Sequence, residues 1–199
     1  MKLKTKIGRP RAFDTDEALE SALQVFWRKG YEGTSLTDLT EAMGINRPSL
    51  YSAFGNKEDL FRKALTRYAE GSIAFVRKAL DEPTARGVAE KILYGATEMM
   101  NDPNHPPGCL MVQGALSCSE TAEPIRQELA ARRAAGQAKM RERFERAKKE
   151  GDLPPDANPA DLARFMSTVL HGMAVQASGG ATYAELRRVV QLALRVFPG

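Results

Sequence analysis

One short segment of the chain, residues 34–57, is rich in side chains that can contact a polyanion. Hydroxyl, amide, guanidinium and ammonium groups at this density can bond the base edges and phosphates of a nucleic acid. We take them as candidate contact residues. Together with the proline among them, they are Thr34, Ser35, Asn46, Arg47, Pro48, Ser49, Tyr51, Ser52 and Lys57.

Two short helices are needed to position these groups. Ser35 begins a Ser-x-x-Asp capping box that starts the first helix. Gly44 allows the chain to reverse sharply, and Asn46 caps the second helix. Pro48, in the first turn of that helix, costs no hydrogen bond. The pattern predicts a helix-turn-helix over about residues 34–53, although helical bundles that bind nothing also contain two short helices joined at a glycine.

The second helix of this motif is expected to expose a face that reads bases. Arg47, Ser49 and Ser52 lie on that face, with Pro48 beside them. Lys57 begins the next helix, whose N-terminal dipole also favours a phosphate. Further hydroxyl groups surround the face at Thr34, Ser35 and Tyr51.

The positive charge of the chain is concentrated at its front. The net charge is only +4, but residues 1–13 contain five Lys or Arg and no acid. Arg9 and Arg11 of this arm are expected to contact DNA, as such an arm can enter a minor groove. No apolar stretch follows the charges and no run of about 18 apolar residues occurs, so we expect neither an export signal nor a spanning helix. With two cysteines and no disulfide framework, the chain is expected in the cytoplasm.

Helical spacing dominates the 199 residues, and strand signals are scarce. This predicts an all-α fold of about nine helices, in a small front unit and a larger rear unit. The fourth helix follows Asn56 and is expected to run unbroken to about Leu80, near which the composition changes. The rear helices are expected near 84–101, 110–117, 122–150, 159–177 and 183–197.

The last of these helices is apolar nearly all round, which requires cover on both sides. We expect one cover to be a second protomer, giving a homodimer through 159–177 and 183–197. The alternative is a central helix of a monomer. The apolar residues are Leu186, Val189, Val190, Leu192, Ala193, Leu194, Val196 and Phe197.

Aromatic, sulfur-containing and polar side chains in the rear unit are candidates for the lining of an adaptable pocket for a small, largely apolar ligand. They are Phe75, Tyr94, Met99, Cys109, Met111, Gln113, Met166 and His171. Core packing is the alternative for each of them. The chain has two histidines and no Cys or carboxylate at ligating spacing, so we expect no metal site and no cofactor.

Two other classes of protein are disfavoured. No phosphate-binding loop, zinc-protease helix or nucleophile elbow occurs, so we expect no enzyme. The Ala/Arg-rich helix 122–150 raises the possibility of a membrane-surface protein. Its arginines are interspersed with acids, a pattern typical of a solvated face, and we expect no membrane partner.

Residues about 8–67 resemble the DNA-binding domain of the TetR/AcrR family of transcriptional regulators. The matching elements, in chain order, are Gly8-Arg9-Pro10-Arg11, Ala22-Leu23-x-x-Phe26, Gly30-Tyr31-x-Gly33-Thr34-Ser35, Gly44-Ile45, Leu50-Tyr51-x-x-Phe54 and Lys57-Glu58-x-Leu60. The resemblance implies a helix-turn-helix domain over 8–67 and a ligand-binding and dimerisation domain over 68–199. It also implies that the protein is a homodimer that binds a near-palindromic double-stranded operator. Such proteins are usually repressors, and a small ligand releases them from the DNA.

The same resemblance assigns roles to the candidate contacts. Thr34, Tyr51 and Lys57 would hold phosphates, whereas bases would face Arg47, Pro48, Ser49 and Ser52. Pro48 departs from the small residue often found at its position, so the operator sequence does not follow.

Cys109 supports an alternative mode of regulation. Gly108-Cys109-Leu110 resembles a turn in a branch of this family in which some members respond to electrophiles or oxidants. Cys109 opens a helix, whose dipole would lower the pKa of its thiol. A thiol-based redox or electrophile sensor is therefore an alternative to release by a ligand. The simpler interpretation is that Cys109 is a small buried apolar residue.

Overall fold

The computed structural model describes residues 13–116 and 122–199, and within these ranges it contains helices and no strand, which confirms the all-α class. Arg9, Arg11 and Cys118 lie outside the described residues. The ten helices are α1 (Thr15–Lys29), α2 (Leu36–Met43), α3 (Arg47–Phe54), α4 (Lys57–Glu70), α5 (Ala74–Ala79), α6 (Ala85–Met100), α7 (Leu110–Leu116), α8 (Glu123–Lys149), α9 (Pro159–Ser178) and α10 (Tyr183–Val196).

The long fourth helix predicted to reach Leu80 is instead two helices. Helix α4 ends at Glu70, and α5 begins only at Ala74. Gly71 lies at the break, where its amide still donates to the carbonyl of Arg67 at 2.9 Å but its ψ of −91° leaves the helical range. Glycine is a poor helix former because it has the most backbone freedom to lose. This break accounts for a tenth helix where about nine were expected.

Helices α1 to α4 form the front unit around an aromatic core. Phe26 of α1 meets Phe61 of α4 edge-on, with ring centroids 4.9 Å apart, and Tyr31 lies 5.1 Å from Phe61. Leu50 and Phe54 of α3 are buried against this unit. The recognition helix predicted from the sequence is thus fixed by its apolar side.

Three side chains of α4 join the front unit to the rear unit. The guanidinium of Arg62 donates to the carboxylate of Glu128 in α8 at 2.7 Å. A Cβ added at Gly114 of α7 would lie 3.7 Å from Phe61, so the two helices are in close contact there. Tyr68 is fully buried and donates from its hydroxyl to the sulfur of Cys109 at 3.2 Å. Helix α4 therefore contributes to the cores of both units.

A second junction is made by α1 and the loop before α7. The indole of Trp27 stacks on the imidazole of His105, with centroids 5.2 Å apart and planes 16° apart. The same indole meets the ring of Tyr68 edge-on at 4.8 Å. These contacts add to the α4 contacts in holding the two units together.

Helix α10 has one buried and one exposed apolar face, and its remaining side carries the exposed residues Arg188, Gln191 and Arg195. The prediction that it is apolar nearly all round is therefore wrong for that side. Leu186, Val190, Ala193 and Leu194 are buried within the protomer. On an adjoining side, Val189, Leu192 and Val196 are 40%, 60% and 71% exposed. Val175 of α9 and Tyr183 add to this exposed apolar surface. The protomer thus covers one face of α10 and leaves the other to solvent.

None of the helices in 13–116 and 122–199 combines the length and the hydropathy that a membrane crossing requires.

Candidate nucleic-acid interface

Helix α2 is held at its start by a reciprocal cap. The hydroxyl of Ser35 accepts from the amide of Asp38 at 3.0 Å, and the Asp38 carboxylate accepts from the amide of Ser35 at 2.9 Å. The ammonium of Lys29, at the end of α1, donates to the same carboxylate at 2.6 Å. That bond and the bonds from Ser35 lower the pKa of Asp38 to about 2. The side chain of Ser35 is therefore engaged in fixing α2 on α1.

Helix α3 follows from a tight reversal and a second cap. Gly44 adopts a left-handed conformation with φ of 64°, as the Gly turn predicts. The side-chain oxygen of Asn46 accepts from the amide of Ser49 at 2.9 Å. With Leu50 and Phe54 turned inward, the outer side of α3 presents the exposed residues Arg47, Pro48, Tyr51 and Ser52, whereas Ser49 is partly buried.

Thr34 is placed differently from the other candidates. Its side chain is only 1% exposed, and its hydroxyl donates to the carbonyl of Gly30 at 2.6 Å. This bond satisfies a carbonyl at the end of α1. The hydroxyl is therefore engaged inside the protein instead of pointing toward solvent.

Lys57 is the first residue of α4, three positions after the end of α3. Its ammonium lies 4.5 Å from the centroid of the Tyr31 ring, in a cation–π contact. Burial lowers the pKa of Lys57, and the charges of Glu32 and Asp38 oppose that effect. A cation at the N-terminal end of a helix is unfavourable on its own, and an anion bound beside it relieves this. The position suits a phosphate.

One polar neighbour of the candidate face was missed by sequence reasoning. A terminal nitrogen of Arg47 donates to the hydroxyl of Thr37 in α2 at 3.2 Å. Thr37 follows Leu36, which packs on the core, so the helical spacing of α2 could have indicated that Thr37 lies on the exposed side. The bond itself depends on how α2 and α3 pack, which spacing alone does not predict.

The predicted ligand residues of the rear unit are engaged in packing. The ring of Phe75 lies so close to Gly95 that an added Cβ would be 2.6 Å from it, and Tyr94 lies under the guanidinium of Arg187 at 5.3 Å. Met99 and Met166 are buried in the core.

The remaining polar and sulfur candidates lie near α7 and α9. The amide of Gln113 donates to the carbonyl of Pro107 at 3.2 Å, and Met111 packs against the core. His171 is partly buried, and burial together with the charge of Arg133 lowers its pKa.

Two clefts in the described part of the chain are lined by other residues. One, of about 400 Å³, lies between α1 and α4, and the other, of about 300 Å³, lies beside the loop 101–107. None of the eight predicted ligand residues lines either cleft. The structure therefore does not gather them around one of these openings.

The thiol of Cys109 does not have the lowered pKa expected at a helix start. Burial raises the pKa of Cys109, and this outweighs the bond from the Tyr68 hydroxyl and the amides of Met111 and Val112, which act in the opposite direction. Burial also raises the pKa of Tyr68 well above its usual value. At neutral pH both groups are therefore uncharged, and Cys109 is a thiol rather than a thiolate.

Comparison with known families agrees with this arrangement. A family model described as "Bacterial regulatory proteins, tetR family" matches residues 18–64. A second, described as "Tetracyclin repressor-like, C-terminal domain", matches residues 90–192. The chain is 32% identical over 198 residues to the HTH-type transcriptional repressor ComR of Escherichia coli strain K12, a match that covers 98% of this chain and 94% of ComR.

Solved structures give the same result. The TetR family transcriptional regulator CifR, as a cysteine mutant in complex with a 26-bp double-strand operator DNA, superposes with a TM-score of 0.92 at 44% identity, covering 96% of this chain and 100% of that chain. A putative TetR transcriptional regulator from Rhodococcus sp. RHA1 is 40% identical, with a TM-score of 0.64 and coverage of 93% and 99%.

The chain belongs to the TetR family of bacterial regulatory proteins. It is a regulator with a helix-turn-helix, and this assignment confirms both the predicted family and the expectation that it is not an enzyme.

Proposed function

We propose that the protein is a homodimeric transcriptional repressor that binds a near-palindromic operator through α3 and leaves it when a small ligand binds the rear unit. The observation that carries this proposal is the outer side of α3. There Arg47, Pro48, Tyr51 and Ser52 are exposed on a helix fixed by its cap and its buried face. The CifR structure, which superposes on this chain with a TM-score of 0.92, contains operator DNA, and this supports operator binding by the present protein.

The side chains around α3 divide into two roles. If α3 enters a major groove, Arg47 in its first turn and Ser52 in its second, with Pro48 and Ser49 beside them, are suited to base edges. Tyr51 and Lys57 are suited to phosphates, as are the amides that open α4. We leave Thr34 out of this proposed interface, because its hydroxyl is buried and donates to the carbonyl of Gly30.

The exposed apolar face of α10 supports the homodimer. Val189, Leu192 and Val196 lie along one side of the helix, and isolated protomers rarely leave such a surface in water. A twofold axis through this face and α9 would relate two copies of α3. Two such helices must lie about 34–36 Å apart to enter successive major grooves.

Helix α4 connects the rear unit to the front unit, so a change in the rear unit can alter the distance between the two copies of α3. Its first turn carries Lys57, and its later residues Arg62 and Tyr68 contact the rear unit. A ligand changes the affinity for the operator only if it binds the DNA-binding conformation and the released conformation with different affinities. We infer that a small, largely apolar ligand would separate the packed side chains around α6, α7 and α9 and tilt α4.

Regulation through Cys109 is the second candidate, favoured by the contact of its sulfur with Tyr68 of α4. A group added to this sulfur would displace the Tyr68 hydroxyl and so act on the same helix. The raised pKa of the thiol disfavours rapid modification, because the thiolate is the reactive form.

The two roles around α3 predict different effects of substitution. Arg47→Ala should change the sequence preference, losing about 1–3 kcal/mol of discrimination at the base pair that it contacts. Tyr51→Phe should weaken binding to operator and scrambled duplexes alike, because a phosphate contact does not depend on sequence. Affinities measured at matched salt on a duplex selected from a random pool, and on its scrambled form, test both. Equal losses on both duplexes with Arg47→Ala would contradict base reading by Arg47.

The two faces of α10 make a matched pair for testing the dimer. Leu192→Asp puts a charge on the exposed face and should give a folded monomer, since a buried unpaired charge costs several kcal/mol in the interface. Leu194→Asp puts the same charge in the core of the protomer, where Leu194 is 5% exposed, and should unfold the chain. Light scattering and circular dichroism distinguish these outcomes. A Leu192→Asp variant that stays a dimer would contradict this interface.

Release from the operator separates the two regulatory mechanisms. A fluorescent operator complex is titrated with a library of small apolar compounds and, separately, with iodoacetamide, using the wild type and Cys109→Ser. We expect apolar compounds to release both proteins. Release by iodoacetamide should be slow at neutral pH and accelerate as pH rises toward the raised pKa of the Cys109 thiol, because the thiolate fraction grows.

Two outcomes of this titration would contradict the proposal. Release only by iodoacetamide, lost in Cys109→Ser and already fast at neutral pH, would replace the ligand mechanism with a thiol switch. Failure of every compound to release DNA would exclude an inducible repressor.

A further inference from the structure

A hydrogen bond joins the two helices of the helix-turn-helix on their outer side. Thr37 of α2 accepts it from Arg47 of α3, with 3.2 Å between the guanidinium nitrogen and the hydroxyl oxygen. Both residues are exposed, so the bond lies in the surface that the proposed function turns toward DNA. It connects two residues ten positions apart.

The partner of this bond is firmly held. Thr37 is the second residue of α2, and the reciprocal cap between Ser35 and Asp38 surrounds it. Lys29 ties that cap to α1 through its ion pair with Asp38. The Thr37 hydroxyl is thus presented from a rigid support, as a group that orients another side chain must be.

The guanidinium retains capacity to bind something else. An arginine has five N–H donors, and Thr37 uses one of those of Arg47. Among the ion pairs of residues 13–116 and 122–199, none involves Arg47. The free edge of the guanidinium can therefore make the paired bonds to O6 and N7 of a guanine that arginine commonly makes in a major groove.

We propose that Thr37 is a positioning residue that sets the sequence specificity of the protein by orienting Arg47. The inference rests on the proposed function, in which Arg47 reads a base. A long arginine side chain loses rotamer freedom when it binds, and a bond that restricts it beforehand reduces that cost. Restriction also favours one base position over its neighbours. Specificity at the base pair read by Arg47 then depends on a hydroxyl that itself touches no base.

Substitutions at Thr37 distinguish the effect of its hydroxyl from the effect of its side-chain shape. Thr37→Val keeps the branched shape and removes the acceptor, whereas Thr37→Ser keeps the acceptor. Thr40→Val is a matched control on the same helix, because the Thr40 hydroxyl donates only to the carbonyls of Leu36 and Thr37 within α2. Affinities are measured for the selected duplex and for a set in which each base pair is changed in turn.

The expected result is local to one base pair. Thr37→Val should reduce discrimination at the position read by Arg47 by about two- to tenfold, the effect of a single hydrogen bond, and leave other positions unchanged. Thr37→Ser should restore it, and Thr40→Val should leave it intact. In an Arg47→Ala background, Thr37→Val should have no further effect, since the two act as one unit.

Other results overturn the inference in ways that can be told apart. If Thr37→Val weakens every duplex equally, or adds its full effect to that of Arg47→Ala, Thr37 contacts DNA itself. If Arg47→Ala changes the preference and Thr37→Val does not, Arg47 reads a base without help, and only the inference fails. If Arg47→Ala leaves the preference unchanged, base reading by Arg47 fails, and the inference with it.

Discussion

The arrangement of this protein depends on one helix that belongs to two cores. Phe61 of α4 meets Phe26 of the front unit at 4.9 Å and also contacts α7 at Gly114. Tyr68 meets Trp27 on one side and Cys109 on the other. Because these side chains are buried in both directions, α4 cannot shift against the rear unit without disturbing the packing of the front unit.

The charged contacts of α4 reinforce this constraint at its edge. The guanidinium of Arg62 bonds Glu58 on its own helix and Glu128 on α8, and Glu128 also accepts from Arg132. Burial alone would raise the pKa of Glu128, but the bonds from Arg62 and Arg132 lower it. Each side chain is partly exposed, so the network adds little to the free energy of unfolding.

The candidate interface is built by local means on top of this support. Helices α2 and α3 have eight residues each, too few to be stable alone in water. Caps at Ser35 and Asn46 satisfy their free amides, and Leu39 and Leu50 bury one side of each helix in the front core. The inner side of α3 is buried in the front core, and this leaves its outer side exposed.

Features that depend on neighbouring residues could be predicted from the sequence. The caps at Ser35 and Asn46 and the left-handed Gly44 all depend on residue types within one turn, and each prediction is confirmed. The end of α4 at Glu70 was missed, because the break is marked only by Gly71, Ser72 and Ile73, whose low to moderate helix propensities were too weak a signal.

Features that depend on distant residues could not be predicted in this way. The pKa of Cys109 is raised by burial in the folded chain, even though Tyr68, 41 residues away, donates a bond to its sulfur that acts in the opposite direction. Its place at a helix start had indicated a lowered pKa. The apolar residues of α10 predict that the helix is buried on two sides. They do not indicate which side is buried within the protomer itself. The bond between Thr37 and Arg47 likewise exists only once α2 and α3 are packed.

The central claim is that the rear unit fixes the position of the recognition helices through α4. Spin labels on Ala42→Cys, an exposed site of α2, report the distance between the two protomers of the proposed homodimer, in a background of Cys109→Ser and Cys118→Ser. Pulsed electron paramagnetic resonance would compare this protein with one that also carries Phe61→Leu, which removes the ring that packs on both Phe26 and α7. The account predicts a narrow distance distribution that shifts or broadens with Phe61→Leu. Two distributions that superimpose would contradict it.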